Sequence, residues 1–399
     1  MTKKRFIGIA LLIFFVTTSV FAQVEINGTI DFEISSGGTD SKFITNGINE
    51  DFKYLHLSIP QINLLLFSPI NDQFFVEARL QSDTWGTGQL STPRFTLANL
   101  TWSHPDKDYS ISIGRFISPV GVYSKKALSI DRTFVDLPLN YSYFTNISDE
   151  RGFWPSAGDN ANYTTGDVGL STIYLGGYTT GIFFDWMLIE NKLRLETSLS
   201  MVAPASDQNY TNIANGALLT HLTFNPNISW ELGLSASHGS YMQLTPVNRI
   251  HRPNNPLEQY RQSLIGLDIR YSLGFWELQA EAIYAYWTSP CYTNGQFNLY
   301  GNKLAEYRST NLGTNIDVRF EPPSISGSYL AFRVDHLNFL TAETDSSSLS
   351  SDWDTDTSRL TAVVGYKLAR NVEAKIIVSE QTPFDQSLYA FRFFITAFF

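Results

Sequence analysis

The sequence predicts an all-β protein: a transmembrane antiparallel β-barrel of about sixteen strands. Three observations predict this fold class. Apolar and polar residues alternate with a period of two along nearly the whole chain, short turns and long polar stretches succeed one another regularly, and the chain ends in alternating aromatic residues. No apolar run after the first twenty residues reaches the roughly 18 positions that a membrane-spanning helix needs.

The chain begins with the layout of a secretory signal peptide. A basic cluster, Lys3–Arg5, precedes an apolar run over Phe6–Val16, and Ala22 supplies the small residue before a cleavage point. That run is too short to anchor the chain in a bilayer, which disfavours the alternative of an N-terminal membrane anchor. We therefore divide the chain into a signal peptide, residues 1–22, and a single barrel domain, residues 23–399.

The rest of the chain alternates with the periodicity of a strand. From Ile228 to Ser237 every second residue is apolar and the residues between are small or polar, and the stretches Leu193–Met201, Trp276–Tyr286 and Val372–Ser379 repeat the pattern. Because successive side chains of a strand point to opposite faces, each segment has one apolar and one polar face. A soluble β-sandwich gives the same pattern, but the export signal and the aromatic residues near strand ends favour a barrel that faces lipid.

The spacing of the turns sets the number of strands. Seven short turns alternate with eight longer polar stretches, which requires sixteen strands, and this asymmetry between the two ends is typical of outer-membrane barrels. The short turns are predicted at Ser68–Gln73, His104–Asp108, Ile189–Lys192, Asn225–Asn227, Ser272–Phe275, Glu321–Gly327 and Ala369–Asn371. The loops are predicted near 36–51, 82–94, 117–172, 203–215, 238–262, 288–309, 338–358 and 381–386.

If the apolar face meets lipid, the other face lines the interior of the barrel, the lumen. On this parity twelve acidic and eight basic side chains point inward, many of them two apart and opposite in sign, such as Glu77 and Arg79. A solid core cannot accommodate so many charges, whereas a barrel of about sixteen strands encloses an aqueous channel. We predict that these wall residues line the pore: Glu77, Arg79, Asp268, Arg270, Asp317, Arg319, Arg333 and Arg392.

The third loop, residues 117–172, is by far the longest and overlaps the run Gly114–Tyr123. Loops of this length are usually functional or disordered, and the proline and aromatic content of this one indicates order. Arg115, just before it, shares its parity with Ile111 and Ile113, so it faces lipid unless a bulge or the strand end intervenes. The candidate site residues of the loop are Tyr123, Lys125, Lys126, Asp131, Arg132 and Asp136.

The last strand reaches the final residue. Its apolar positions alternate over Tyr389, Phe391, Phe393, Ile395, Ala397 and Phe399. This ending resembles the C-terminal signal by which bacterial outer-membrane barrels are recognised for assembly. The resemblance implies a location in the Gram-negative outer membrane, contact with its lipids and lipopolysaccharide, and the barrel-assembly machinery as a partner that reads Phe399.

The overall plan resembles that of bacterial outer-membrane porins with sixteen strands. In that family the third loop folds into the lumen and sets its constriction, and the run Gly114–Tyr123 looks like the segment after a central strand in porins of the phosphate-selective type. The resemblance covers essentially the whole barrel domain as architecture, and it implies a channel that is often a homotrimer. The third loop lacks the dense ladder of arginine and lysine that phosphate-selective porins use.

The sequence contains no motif that points to catalysis. It has no zinc-protease, phosphate-loop or nucleophile-elbow motif, and its six histidines have no ligand spacing. His221 with Ser237 or Ser240 is conceivable as part of a hydrolase site, but no acid or oxyanion donor accompanies them. The acidic run Asp352–Asp356 resembles the start of a calcium loop without its glycine and distal glutamate.

Composition excludes further classes. The chain carries 38 Asp+Glu against 28 Lys+Arg, a net charge of −10, which is unsuited to binding nucleic acid through its phosphates. Its one cysteine, Cys291, excludes an internal disulfide and a cysteine-based metal cluster. We therefore predict no enzyme activity, no cofactor, no metal and no nucleic-acid partner.

The sequence thus predicts a porin that lets small hydrophilic solutes diffuse passively through a charge-lined pore. Steric width and the field between opposed charges decide which solutes pass. The excess of acidic lumen residues leans towards cations, and Lys125, Lys126 and Arg132 of the third loop oppose it. The alternatives are a substrate-selective channel, either for an anion such as phosphate or for a saccharide that slides along aromatic residues such as Tyr123, and, outside this class, a barrel enzyme or an adhesin.

Overall fold

The computed structural model describes residues 24–38, 54–84, 90–155, 169–174, 177–206, 216–242, 259–301, 303–344, 347–349, 353–382 and 388–399. The predicted signal peptide, residues 1–22, lies outside these ranges, as do parts of the long loops. The described residues form sixteen long strands: β1 (Glu25–Gly37), β2 (Gln61–Pro69), β3 (Phe74–Asp83), β4 (Arg94–Ser103), β5 (Tyr109–Ile117), β6 (Tyr178–Ile189), β7 (Leu193–Ser200), β8 (Ala217–Asn227), β9 (Trp230–Ser240), β10 (Arg261–Leu273), β11 (Trp276–Pro290), β12 (Glu306–Phe320), β13 (Ser328–Thr344), β14 (Thr357–Ala369), β15 (Val372–Gln381) and β16 (Leu388–Phe398).

These strands form one closed antiparallel barrel, which confirms the predicted fold class. Each strand pairs with the next along the chain, and β16 pairs with β1 from Thr29 opposite Phe398 to Gly37 opposite Ala390. At this seam Gly28 and Phe399 also exchange two backbone hydrogen bonds, of 2.8 and 3.0 Å. Because the sheet closes on itself, every one of the sixteen strands has a partner on both sides.

The two ends of the barrel differ as predicted. Seven turns of two to seven residues join strands at one end, which we call the short-turn end. The opposite end, the loop end, carries the long loops. No helix among the described residues is long and apolar enough to cross a bilayer. The loops contain the short strands His56–Ser58 and Ser347–Leu349, three small hairpins at 147–153, 292–297 and 299–304, a 3-10 helix (Ser129–Asp131) and the one-turn helix α1 (Leu139–Ser142).

Alternation along each strand sorts the side chains as the sequence predicts. In β16, for example, Phe391 is 52% exposed on the outer surface, whereas its neighbour Arg392 is 2% exposed inside the barrel. Aromatic residues ring the outer surface at the short-turn end, where Trp230 and Tyr271 have ring centres 4.4 Å apart. An aromatic belt at the strand ends is typical of barrels that sit in a lipid bilayer.

A glycine reverses the parity at one position. Gly114 has a φ of +131°, and a β-carbon at this position would lie 2.3 Å from the carbonyl oxygen of Ala98. The irregularity brings the next residue, Arg115, to the inside of the barrel, where its side chain is 7% exposed. Of the two alternatives for Arg115, the structure therefore shows the interior one, and simple alternation from Ile113 predicts the wrong face.

The wall of the barrel is taller on one side than on the other. Strands β2 to β5, the short half, have nine or ten residues each, whereas β10 to β14, the tall half, have 13 to 17. The predicted loop 338–358 therefore begins too early, because β13 continues to Thr344. In this extension the inward residues Phe339 and Ala342 are apolar and pack in a buried cluster. The alternation of polar inward and apolar outward residues therefore stops before the strand ends.

Candidate functional site

The third loop leaves β5 at Ile117, enters the lumen and returns to β6 at Tyr178. The structure describes its residues 118–155, 169–174 and 177. Apolar packing holds the loop against the inner wall, as expected from the resemblance to porins, whose third loop folds inward. The cluster joins Val120, Tyr123, Leu137, Tyr141 and Ile173 of the loop to Ala217, Leu219, Leu264 and Ile283 of the wall.

Carboxylates of the tall half receive the first set of loop hydrogen bonds. The Tyr141 hydroxyl donates to both carboxylate oxygens of Glu281, at 2.8 and 2.9 Å, and the backbone N–H of Val122 donates to Oε1 at 2.8 Å. The Tyr123 hydroxyl donates to Asp317 Oδ2 at 2.6 Å. Burial raises the pKa of both tyrosines well above its ordinary value, so both hydroxyls stay protonated and serve as donors.

Asp136 is the ionic anchor of the loop. Arg392 of β16 donates to both carboxylate oxygens of Asp136, with Nη1 2.7 Å from Oδ1. Arg333 of β13 donates to the Asp136 carbonyl oxygen at 2.7 Å and binds Asp317 bidentately, at 2.7 and 2.6 Å. Burial alone would raise the pKa of Asp136, but Arg392 lowers it below its ordinary value. Bidentate pairs fix orientation as well as distance, so they hold the loop in one position.

The 3-10 helix of the loop lies against β1 and β15. Ser129 Oγ donates to Asp31 Oδ1 at 2.6 Å, and Lys375 Nζ donates to the Ser129 carbonyl oxygen at 3.1 Å and to that of Arg132. The parity rule places Asp31 and Lys375 in the lumen, but neither is among the predicted site residues.

Arg359 of β14 is a further anchor that the sequence reading does not identify. Its Nη2 donates to the Leu137 carbonyl oxygen, and its Nε donates to Asp335 Oδ2 at 3.0 Å. Arg359 directly follows the predicted loop 338–358. It lies an even number of positions before the inward Lys367, so extending the alternation of β14 back to Arg359 predicts that it also points inward.

Lys125 and Lys126 reach in the other direction, towards β7 and β11. Lys125 Nζ forms an ion pair with Glu196, and Lys126 Nζ donates to Gln279 Oε1 at 2.5 Å. Burial lowers the pKa of Lys126 from its ordinary value. Together with Asp136, Tyr123 and the 3-10 helix, the two lysines attach the loop to strands on several sides of the lumen.

His221 lies next to the Lys125 pair, between two carboxylates. Its Nδ1 is 3.4 Å from Glu196 and its Nε2 is 3.1 Å from Asp268. Both ring nitrogens therefore face carboxylates, and neither is hydrogen-bonded to Ser237 or Ser240. The arrangement holds a charged network in the wall rather than the serine, histidine and acid of a hydrolase.

The short half carries a basic face. Arg79 Nη1 donates to the Tyr178 hydroxyl at 3.0 Å, which donates to Gln81 Oε1 at 3.3 Å. The guanidinium carbons of Arg79 and Arg115 lie 5.7 and 5.6 Å from the centre of the Tyr178 ring. The Nε of Arg79 is buried and has no hydrogen-bond partner among the described residues. We call Arg79, Arg115 and Tyr178 the basic face.

Two of the predicted wall residues, Glu77 and Arg270, lie away from the anchors of the loop, whereas Arg319 Nη1 donates a hydrogen bond of 3.4 Å to Thr133 Oγ1 of the loop. Arg270 pairs with Glu277 at 2.9 Å near the short-turn end, and Arg319 pairs with Glu321 at 2.6 Å at the same end. Glu77 is half-buried on the lumen face of β3. The structure thus brings most of the predicted loop residues together with Asp317, Arg319, Arg333 and Arg392, and leaves Glu77 and Arg270 outside that group.

Above the third loop, aromatic residues fill the loop end of the tall half. Trp353 Nε1 donates to the Thr310 carbonyl oxygen at 2.7 Å, and its ring centre is 4.8 Å from that of Phe339. Phe153 of the third loop stacks on Tyr307 with ring centres 4.5 Å apart. This part of the lumen is therefore packed as a core.

The acidic run 352–356 connects two loops. Asp354 accepts hydrogen bonds from the Tyr143 hydroxyl at 3.0 Å and from the backbone N–H of Asn146 at 2.7 Å, and Asp356 accepts hydrogen bonds from β13. Asp352 lies outside the described residues. Across the part of the chain that the structure describes, no group of three or more potential ligands is placed to hold a metal ion.

No family model and no curated protein matches the chain. Its fold is nevertheless similar to that of solved outer-membrane proteins. An anion-selective porin from Comamonas acidovorans has a TM-score of 0.60 at 10% identity, over 94% of this chain and 99% of the porin. Salmonella typhi OmpF, in complex with daunomycin, has 0.55 at 11%, over 94% and 97%. The trimer form of OmpT, an outer membrane protein of Vibrio cholerae, has 0.52 at 7%, over 94% and 99%. At such identities the likeness shows a shared barrel fold.

Proposed function

We propose that this protein is an outer-membrane porin through which small hydrophilic solutes diffuse passively. The observation that carries the proposal is the position of the third loop, which Asp136, Tyr123 and Tyr141 attach to the inner wall by buried hydrogen bonds. A loop held in this way narrows the lumen to a constant width, as a size-limited filter requires. The fold shared with solved porins supports the same conclusion.

Opposite charges face each other across the proposed passage. Arg79 and Arg115 supply positive charge on the wall, and Asp131 is exposed on the loop. Desolvation raises the pKa of Asp131, and the charge of Arg79 opposes that rise, so the two residues are close enough to interact. A field between opposed charges sorts solutes by their own charge distribution, in addition to their size.

A second candidate is a channel selective for anions. The observation that favours it is the basic face, where the guanidinium carbons of Arg79 and Arg115 lie 5.7 and 5.6 Å from the centre of the same Tyr178 ring. Two guanidinium groups held side by side on the wall attract carboxylate or phosphate oxygens. The similar porin from Comamonas acidovorans is described as anion-selective. Reversal potentials in a salt gradient decide between the two candidates.

The outer surface supports a location in the outer membrane of a Gram-negative bacterium. Its apolar residues and its aromatic belt at the short-turn end suit contact with lipids and lipopolysaccharide. Residues 1–22 serve as the export signal in this proposal. Phe399, at the end of the last strand, serves as the signal for the barrel-assembly machinery.

We extend the proposal to a homotrimer that packs through β1 and the segment beside it. Ile34, Leu55 and Leu57 are apolar and exposed there, at 36%, 77% and 78%, and Leu57 lies opposite Ile34. Exposed apolar groups that cluster on one side of a protein mark an interaction surface or a lipid contact. The trimer form of the similar OmpT barrel supports the first of these. Sedimentation of the detergent-solubilised protein measures its oligomeric state, and a monomer at all concentrations would contradict this extension.

Reconstitution of the refolded chain into planar lipid bilayers tests the main proposal. We expect stepwise increases in current as single channels insert, with a conductance that rises with salt concentration. A folded, heat-modifiable barrel that produces no current would contradict the pore and would favour the enzyme or adhesin alternatives.

A further inference from the structure

A cavity lies at the short-turn end of the lumen, next to the 3-10 helix of the third loop. It has a volume of about 250 Å³ and opens between that helix and the turn that joins β14 to β15. We call it the short-turn pocket. The charged residues that line it are Asp131, Arg132, Arg319, Lys367, Arg370 and Glu373.

The pocket has an excess of positive charge. Its lining has four cations and two carboxylates, and one of the carboxylates, Glu373, is paired with Lys375 at 3.3 Å. Arg319 pairs with Glu321 through Nη2, but its Nε is buried and has no partner among the described residues. Asp131 is thus the one lining carboxylate in the described chain that has no ion pair within hydrogen-bond distance.

The guanidinium group of Arg132 lines the pocket without a hydrogen-bond partner among the described residues. Its Nε is buried and makes no hydrogen bond to a described residue, although its carbonyl oxygen accepts a hydrogen bond from Lys375. Burial lowers the pKa of Arg132 from its ordinary value, as expected when a guanidinium group loses water without gaining an equal counter-charge. The group nevertheless stays protonated at neutral pH. Nη1 and Nη2 of Arg132, which are not buried, likewise make no hydrogen bond to a described residue, so a bound anion would supply the acceptors that the protein does not.

We propose that the short-turn pocket binds a small oxyanion that carries at least two negative charges, either a phosphate or a di- or tricarboxylate. The guanidinium groups of Arg132 and Arg319 present planar N–H donors that match carboxylate and phosphate oxygens. Lys367 and Arg370 are exposed at the rim and add attraction without a fixed geometry. The cavity is smaller than typical sites for drug-sized ligands, which restricts the ion to a small one. A role as a filter rests on the proposed channel, whereas binding does not depend on conduction.

A second cavity at the same end provides a contrast. It is larger, about 890 Å³, and its charged lining residues are Glu190, Lys192, Glu231 and Arg270. Positive and negative charges balance there, and Arg270 is also paired with Glu277 at 2.9 Å. Lys192→Gln therefore removes one exposed positive charge at the same end of the barrel without touching the short-turn pocket, and it serves as the matched control.

Isothermal titration of the refolded full chain in detergent, at low ionic strength, tests the proposal. Citrate, inorganic phosphate and chloride are the probes. We expect citrate or phosphate to bind one-to-one with a Kd of about 1 mM or tighter, and chloride to show no saturable heat. Lys367→Gln combined with Arg370→Gln changes only exposed rim residues, and we expect it to weaken binding about tenfold or more, as does Arg132→Gln. Lys192→Gln should leave the affinity unchanged.

The outcomes separate this inference from the channel itself. Absence of citrate and phosphate binding, or equal affinity in wild type and the rim double variant, overturns the inference even if the chain conducts. Binding by a chain that does not conduct supports the inference and overturns the channel. If phosphate binds and citrate does not, or the reverse, the anion is assigned to that one class. Because the attraction is electrostatic, affinity should also fall as salt is raised.

Discussion

The tall and short halves of the barrel are built from the same alternating strands, yet their lumen faces serve different purposes. In the tall half, Phe339 and Trp353 fill the lumen beneath the loops and form a packed core. In the short half, Arg79 and Arg115 stay polar and charged around Tyr178. Alternation thus decides only which side chains point inward. What covers them decides whether they become core or channel wall.

The charges of the two halves also differ in how they are paired. Where the third loop docks, Arg333 and Arg392 are each matched to a carboxylate at close range. The basic face of the short half includes a guanidinium nitrogen of Arg79 with no partner in the described chain. Docking of the loop through Asp136 and Tyr123 therefore leaves Arg333 and Arg392 paired, whereas the basic face keeps an unpaired guanidinium nitrogen.

The largest expected effect comes from removing the loop that distinguishes the halves. Deleting residues 123–160 should raise single-channel conductance several-fold in planar bilayers, because the tall half then also conducts. Deletion of residues 243–250, from the loop between β9 and β10, should leave conductance unchanged. Equal conductance of the wild type and the 123–160 deletion would show that the third loop does not narrow the pore.

Breaking the ionic anchor should loosen the loop without removing it. Asp136→Asn leaves the buried guanidinium of Arg392 without its counter-charge, which typically costs about 3–5 kcal/mol. We expect noisier channels and faster proteolytic cleavage within the third loop. Glu343→Gln removes an exposed carboxylate that lies 4.0 Å from Arg308, a surface pair worth about 0–1 kcal/mol, and should change neither property. Cleavage at the wild-type rate in Asp136→Asn would mean that apolar packing alone holds the loop.

Neutralising the basic face should change selectivity more than conductance. Arg79→Gln removes a positive charge from the proposed passage, so the reversal potential in a salt gradient should move towards cation preference. Arg79→Lys keeps the charge and should move it less. Lys192→Gln, at the short-turn end and away from the basic face, is the control and should leave the reversal potential in place. A shift of the same size in all three variants would show that the basic face does not determine the ion preference of the channel.

The smallest effect is expected from pH. The pKa of Asp131 is raised by desolvation, so this carboxylate takes up a proton at a higher pH than an ordinary aspartate as the solution is acidified. The loop then loses negative charge while the arginines keep theirs, and the reversal potential should shift towards anions. Asp131→Asn should show this preference already at neutral pH and lose the shift. Asp72→Asn, in an exposed turn, should retain it.

The strands are predictable from the sequence because each strand has one face towards lipid and one towards the lumen. The alternation of apolar and polar residues within the strand therefore shows which face is which. The path of the third loop is not predictable, because its anchors join distant positions: Tyr123 meets Asp317 at a separation of 194 residues. Parity identifies Glu281 as inward but says nothing of the Tyr141 hydroxyl that binds it. Gly114 marks the other limit, since one residue with positive φ reverses the alternation for Arg115.

The seam between β1 and β16 affects the order in which the barrel folds. It joins Gly28 to Phe399, the contact of largest sequence separation in the sheet, and contacts of this kind are slow to form. Until it forms, both strands present unpaired edges that can pair with other chains. We therefore expect closure to be the last step of folding, and a chain truncated before Leu388 has no strand with which to complete it.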